Sequence, residues 1–310
     1  MSNKKIILLL NVLFILLFVN VSFSKENKIL FKVNNDIITS LDILNEINYL
    51  RIINKDILDN TAENEIYEIA KNSLLREKIK EIELLNHVKK IQIEEEYLDQ
   101  ILLNYFKKYN VNSKKGFEEF FSKVGLEPES IEKKITIEVM WNQLIYEKFF
   151  KNVKIDKDKI RKKILSSNKI NEYLLSEIVF NVDQSENLDE KYSKIKNNII
   201  NSSFSETALL FSISVSANNG GDLGWLTETS IDKKILKELI SIDIGEFTNP
   251  ILIPGGFLIL KINDKRISEI KKDEKKEFDL IVRKMTNDQL NQFSNVYYNK
   301  IKKNIQVNEF

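Results

Sequence analysis

The sequence predicts an α+β multidomain protein: an all-α N-terminal domain completed by a C-terminal helix, with a small α+β domain between them. Three observations predict it. From Leu41 to Ser166 apolar residues recur at helical spacing. After Asn168 the pattern breaks into short strand-like runs and glycine turns. From Lys275 to Lys303 one long helix returns, and its apolar stripe needs a partner outside its own segment.

Each element has a local reason. Ile29 to Ile38 reads as a strand and turn around Asn34-Asn35-Asp36. Thr39 or Ser40 can cap the next helix, and Asp42 in its first turn suits the helix dipole. Leu41, Leu44, Ile47 and Leu50 follow at helical spacing. Glu63 to His87 continues helical without Gly or Pro, and Glu94 to Tyr109 repeats the pattern through Tyr97, Ile101 and Tyr105. Phe117 to Val124 is a short helix stopped by Gly125. Pro128 then falls near the first position of a helix reaching about Asn152, where its missing N–H costs nothing. Asp156 or Asp158 can cap one more helix, ending near residues 166–168.

The middle region reads as a strand over Tyr173 to Val182 and helices over Leu188 to Ile200 and Phe204 to Phe211. A glycine turn at Asn218 to Trp225 and a short helix over Ile235 to Ile240 follow. Ile251 to Ile253 and Phe257 to Ile262 are strand-like, separated by Pro254-Gly255-Gly256. The terminal helix carries Phe278, Ile281, Met285, Phe293 and Tyr297, and Ile305 to Val307 closes as a strand.

Composition narrows the function. The chain has 310 residues, more than one average domain. Its 47 basic and 46 acidic residues balance, which argues against nucleic acid as a partner. Cysteine is absent, which excludes thiol catalysis, disulfides, zinc–thiolate sites and a lipidated cysteine anchor. His87 is the single histidine, so multi-histidine metal sites are excluded as well. It falls among Lys89 and Lys90 near a helix C-terminus, a surface position. No G-x-x-x-x-G-K-[ST] motif is present, and neither a nucleotide nor another cofactor is expected.

The first 24 residues read as a signal peptide. Lys4 and Lys5 precede a 14-residue run from Ile6 to Val19, apolar except for Asn11. Ser22 and Ser24 supply small residues before a cut at Lys25. The run is shorter than the roughly 20 residues of a spanning helix. Export is therefore expected, with membrane contact only through the leader before cleavage; an uncleaved anchor is the alternative.

The middle region resembles the parvulin family of peptidyl-prolyl isomerases. The residues that carry this are Asn219-Gly220-Gly221-Asp222-Leu223-Gly224-Trp225, preceded by Phe211-Ser212-Ile213-Ser214. They are followed by Ile244-Gly245-Glu246-Phe247-Thr248-Asn249-Pro250-Ile251 and then Gly256-Phe257-Leu258-Ile259-Leu260-Lys261. With the leader, the helical segment opening on Val33-Asn34-Asn35-Asp36 and the terminal helix, the whole chain is similar to the periplasmic chaperone family typified by SurA. That resemblance implies four segments: a signal peptide over 1–24, a helical chaperone domain over 25–168, a parvulin-like domain over 169–267, and a returning helix and strand over 268–310. It implies a periplasmic folding chaperone whose clients are unfolded outer-membrane proteins.

Prolyl isomerisation crosses a barrier of roughly 18–20 kcal/mol set by amide resonance. Active parvulins resemble one another in a pocket with two histidines, an Asp or Cys between them, and an apolar proline shelf. Carried onto this chain, the histidine positions fall at Glu177 and Leu258 and the Asp/Cys position at Ser214. The shelf falls at Leu223, Ile231, Ile235 and Phe247, with Ile235 replacing the usual aromatic. Leu258 can neither donate nor accept a hydrogen bond, so the resemblance implies weak or absent isomerase activity. The alternative is a working isomerase in which Glu177 and Ser214 form a substitute polar network.

Overall fold

The chain enters the fold as a hairpin. The structure, a computed structural model, describes residues 27–166, 169–182, 186–269 and 274–310. The expected leader over 1–24 and the junction at 167–168 lie outside them. Strands β1 (Ile29–Val33) and β2 (Asp36–Thr39) pair antiparallel, with Asn34 at φ +52° in the turn, where Asn is tolerated. Thr39 then caps α1 (Ser40–Ile53) in a full capping box with Asp42.

Four more helices build the first domain after the short α2 (Lys55–Leu58): α3 (Glu63–Leu85), α4 (Glu95–Phe106), α5 (Lys114–Lys123) and α6 (Pro128–Phe149). Pro128 opens α6 as expected. Helix α7 (Lys157–Ser166) starts behind Asp156, whose Oδ1 accepts the Lys159 N–H at 2.9 Å. Ile66, Ile69, Ile79, Ile137 and Trp141 are fully buried in the main core. A satellite core of Phe106, Phe117 and Phe121 packs edge to face between α4 and α5. Between α1, α3 and α6 lies a charge cluster. Lys134 Nζ sits 2.8 Å from Glu46 and also pairs with Glu77.

The terminal segment returns to this domain. Helix α11 (Glu274–Lys302) brings Tyr298 into the main core, and Ser294 Oγ accepts the indole N–H of Trp141 at 2.8 Å. The last strand, β7 (Val307–Glu309), pairs antiparallel with β1. It lies two residues beyond the expected Ile305 to Val307.

The second domain is a four-stranded antiparallel sheet in the order β4-β3-β6-β5. Its strands are β3 (Lys169–Phe180), β4 (Asp222–Thr227), β5 (Ile251–Ile253) and β6 (Gly256–Glu269). Helices α8 (Leu188–Asn201) and α9 (Phe204–Phe211) cover one face through Ile195, Ile199, Phe204 and Ala208. The other face packs against α10 (Lys233–Ile240) through Leu239. The segment read as a glycine turn is half strand: a 3-10 turn over Val215–Asn219 leads into β4. Trp225 is therefore a strand residue, with the Arg266 guanidinium 3.9 Å above its ring.

The two domains are hydrogen-bonded together. Thr61 Oγ1 donates to Glu206 Oε1 at 2.9 Å, and Arg76 Nη1 donates to the Ser212 carbonyl at 2.5 Å. Helix α11 adds Lys284 Nζ to the Trp225 carbonyl at 2.8 Å and Asn299 Nδ2 to the Gly255 carbonyl at 3.1 Å.

Candidate functional site

Strand alternation places Glu177 on the same sheet face as Leu175 and Val179, the face turned away from α8 and α9. In the β3–β6 register Glu177 lies opposite Leu260, and Val179 opposite Leu258. Leu258 is therefore the diagonal neighbour of Glu177 on one face.

The loop after α9 is tied to β3 by its backbone. Ile213 N donates to the Val179 carbonyl at 2.7 Å, and Ser212 Oγ accepts the Val179 N–H at 3.0 Å. Glu177 N donates to the Gly221 carbonyl at 2.8 Å. Gly221 stands at φ +79°, and a Cβ there would lie 2.2 Å from the Glu177 carbonyl oxygen. Only glycine allows this approach. It holds the loop where Ser214 Oγ reaches Glu177 Oε1 at 2.5 Å and Ser216 Oγ reaches the same oxygen at 2.7 Å.

The electrostatics follow from burial. Desolvation pushes the Glu177 carboxyl above its ordinary range, and the two serine hydroxyls only partly offset this. Both serines use Oε1, so a protonated Glu177 keeps Oε2–H as a donor. A second carboxyl comes from the terminal helix. Burial raises Asp288 to about 6, Lys284 opposes the shift and Glu177 adds to it.

Leu258 is 5% exposed and shares an apolar cluster with Leu223, Ile231 and Ile235. Phe247 does not join them. It bridges to Lys261 on β6, which turns it toward the helical face, with its ring centroid 6.4 Å from Phe204. The structure thus brings together Glu177, Ser214, Leu258 and three of the four shelf residues.

Sequence reasoning missed Ser216 and Asp288. Ser216 had a signal, since Ser212, Ser214 and Ser216 alternate along one loop. Asp288 had none, because a helix 111 positions along the chain delivers it. Among the described residues no three metal-ligating side chains converge. The arrangement sets a carboxyl raised by burial, with two serine hydroxyls donating to it, beside an apolar cluster.

Comparison with known proteins places the second domain in a family. Residues 176–264 match the family model described as rotamase, PPIC-type PPIase domain. Chaperone SurA of Pseudomonas putida is 41% identical over 63 residues, 20% of this chain and 15% of that protein. Chaperone SurA of Pseudomonas aeruginosa is 29% identical over 105 residues, 31% of this chain and 24% of that protein. The matched segments thus span less than a quarter of those relatives' length. Among solved structures, one chain belongs to the pair PEB4 and Cj1289, described as SurA-like chaperones of Campylobacter jejuni. It covers 92% of this chain and 99% of its own length, at 15% identity and a TM-score of 0.35.

Proposed function

Residues 176–264 of this SurA-like chain are a PPIC-type PPIase domain, and we propose that the chain is a periplasmic folding chaperone that holds unfolded outer-membrane proteins. Such clients are chains of alternating apolar and polar residues that cannot yet bury their apolar band. Holding them needs non-directional apolar contact and no nucleotide.

In this reading the isomerase pocket is weak or inactive. The observation that carries it is Leu258, 5% exposed and packed among apolar side chains at a position where an active pocket needs a polar group. Each 1.36 kcal/mol of lost transition-state stabilisation slows the reaction roughly tenfold.

A second reading keeps isomerase activity. The Glu177–Ser214–Ser216 cluster favours it, since a protonated carboxyl could donate to a twisted amide.

One experiment separates the two. The chain starting at Lys25 is assayed for cis/trans isomerisation of a proline tetrapeptide and for delay of aggregation of an unfolded porin. Delayed aggregation without acceleration supports the first reading; acceleration supports the second. Failure to delay aggregation sinks the chaperone reading.

A further inference from the structure

A cleft of 1290 Å³ opens between the two domains, away from the Glu177 pocket. Helix α3 forms one wall, α8 and the end of α9 another, and the end of α11 the third. Its volume exceeds the about 300–1,000 Å³ of small-molecule pockets, and its length runs along three elements. This is the scale of a polymer segment.

Its lining is chemically asymmetric. Arg76, Lys191, Lys194, Lys300, Lys302 and Lys303 border it, against Glu65 and Glu68. Glu68 lies 4.0 Å from Lys71, while Glu65 accepts from the neutral Asn198 amide at 3.3 Å and keeps its charge, so the cations still outnumber the acids. Lys191 is satisfied by Glu186 at 2.8 Å. Among the described residues, Lys194, Lys300, Lys302 and Lys303 have no carboxylate within ion-pair distance, and Lys194 Nζ lies 5.7 Å from the centroid of the Phe211 ring. Arg76 is likewise without one, donates to the Ser212 carbonyl, and has its pKa pulled down by burial. Glu138 and Glu46 act on Arg76 from a distance, so the cations without an acidic partner are the four lysines, gathered at one concave place in a chain of balanced overall charge. Between them the floor is apolar: Leu75, Leu210, Phe211 and Val296, the last 40% exposed.

We propose that this cleft is a client-binding site, and that it takes an extended segment of unfolded polypeptide combining aromatic or aliphatic side chains with acidic ones. The inference rests on the chaperone reading and adds to it a place and a charge preference. The apolar floor supplies affinity without sequence demands. The lysine rim selects acidic segments and speeds their capture. A flat anionic membrane cannot enter a concave cleft walled by two domains, whereas an extended chain can.

The test uses the chain from Lys25 to Phe310 and fluorescence anisotropy. One labelled peptide alternates aromatic and acidic residues; its twin carries the corresponding amides. The acidic peptide should bind roughly tenfold tighter than the twin, and added salt should erode that difference. The double variant Lys194→Glu with Lys300→Glu, both exposed side chains, should abolish the preference while melting at the wild-type temperature. Equal binding of the twins overturns the proposal, as does an unaffected preference in the double variant. So does binding to vesicles of equal parts phosphatidylcholine and phosphatidylglycerol that the acidic peptide fails to displace. Aggregation of an unfolded porin is followed in parallel. If holding persists while the acidic preference is absent, the cleft assignment fails and the chaperone reading stands. If holding itself is absent, that reading fails on its own measurement.

Discussion

Ser214 Oγ lies 2.5 Å from Glu177 Oε1, so a serine of the loop after α9 bonds a carboxyl carried by β3. Burial holds that carboxyl above its ordinary pKa, and the hydroxyls of Ser214 and Ser216 offset the shift only in part. A carboxyl raised in the folded state takes up a proton on folding. Its contribution to stability is full below the ordinary value and is lost as pH rises through the folded value. Glu177→Gln keeps the acceptor oxygen for both serines and cannot ionise. Its melting temperature relative to wild type should therefore climb as pH rises above the ordinary carboxylate range. A pH-independent difference in calorimetry would contradict the buried, protonated carboxyl.

The same loop depends on Gly221 far more than on Gly224. Both have positive φ, +79° and +64°. A Cβ at Gly221 would meet the Glu177 carbonyl at 2.2 Å, while one at Gly224 meets nothing within 4 Å. Gly224→Ala should cost about 1 kcal/mol, the conformational term alone. Gly221→Ala should cost more than about 3 kcal/mol, because β3 and the loop must separate. Urea unfolding of the two variants checks the contrast, and equal losses would mean that the loop yields freely.

Most helices were legible because their apolar spacing and caps are local properties. Thr39 with Asp42, and Pro128 after Gly125, mark their boundaries within a few residues. Strand β4 was hidden because Gly220, Gly221 and Gly224 read as a turn, while its pairing with β3 is a long-range fact. The misplacement of Phe247 has the same origin. Its face is set by the bridge to Lys261, and alternation alone gives no parity across a loop. Docking of the two domains was not legible at all, since Thr61–Glu206 and Arg76–Ser212 join residues more than a hundred positions apart.

Trp141 on α6 and Ser294 on α11 tie the returning helix to the first domain. The indole is 0% exposed, donates to Ser294 Oγ at 2.8 Å and stacks on Tyr297 at 5.8 Å between centroids. Trp141→Phe and Ser294→Ala each remove the hydrogen bond. A double-mutant cycle in urea should return a coupling of about 1 kcal/mol. A coupling near zero would show that the pair is in contact without contributing jointly to stability.

Asp288 gives the interface between α11 and the second domain a pH dependence of definite sign. Burial is the largest influence on it and raises it from 3.8 to about 6; Lys284 pulls it down and Glu177 pushes it up. Its contribution to stability is therefore full below about 3.8 and lost as pH rises through about 6. Lys284 shares the region, is lowered by burial, and anchors α11 through the Trp225 carbonyl. Asp288→Asn removes the cost of a buried charge and also removes the attraction on Lys284. Because burial outweighs Lys284 in setting the Asp288 shift, the net effect above pH 6 is stabilising. Discounted for screening at a partly exposed site, it amounts to about 1 kcal/mol, or about 2–4 °C in melting temperature. Below pH 4 the variant and wild type should converge, since Asp288 is then protonated in both states. Melting curves at acid and neutral pH check this. A variant less stable than wild type at neutral pH would mean that the Lys284 attraction exceeds the burial cost, and that Asp288 clamps the helix in place as an anion.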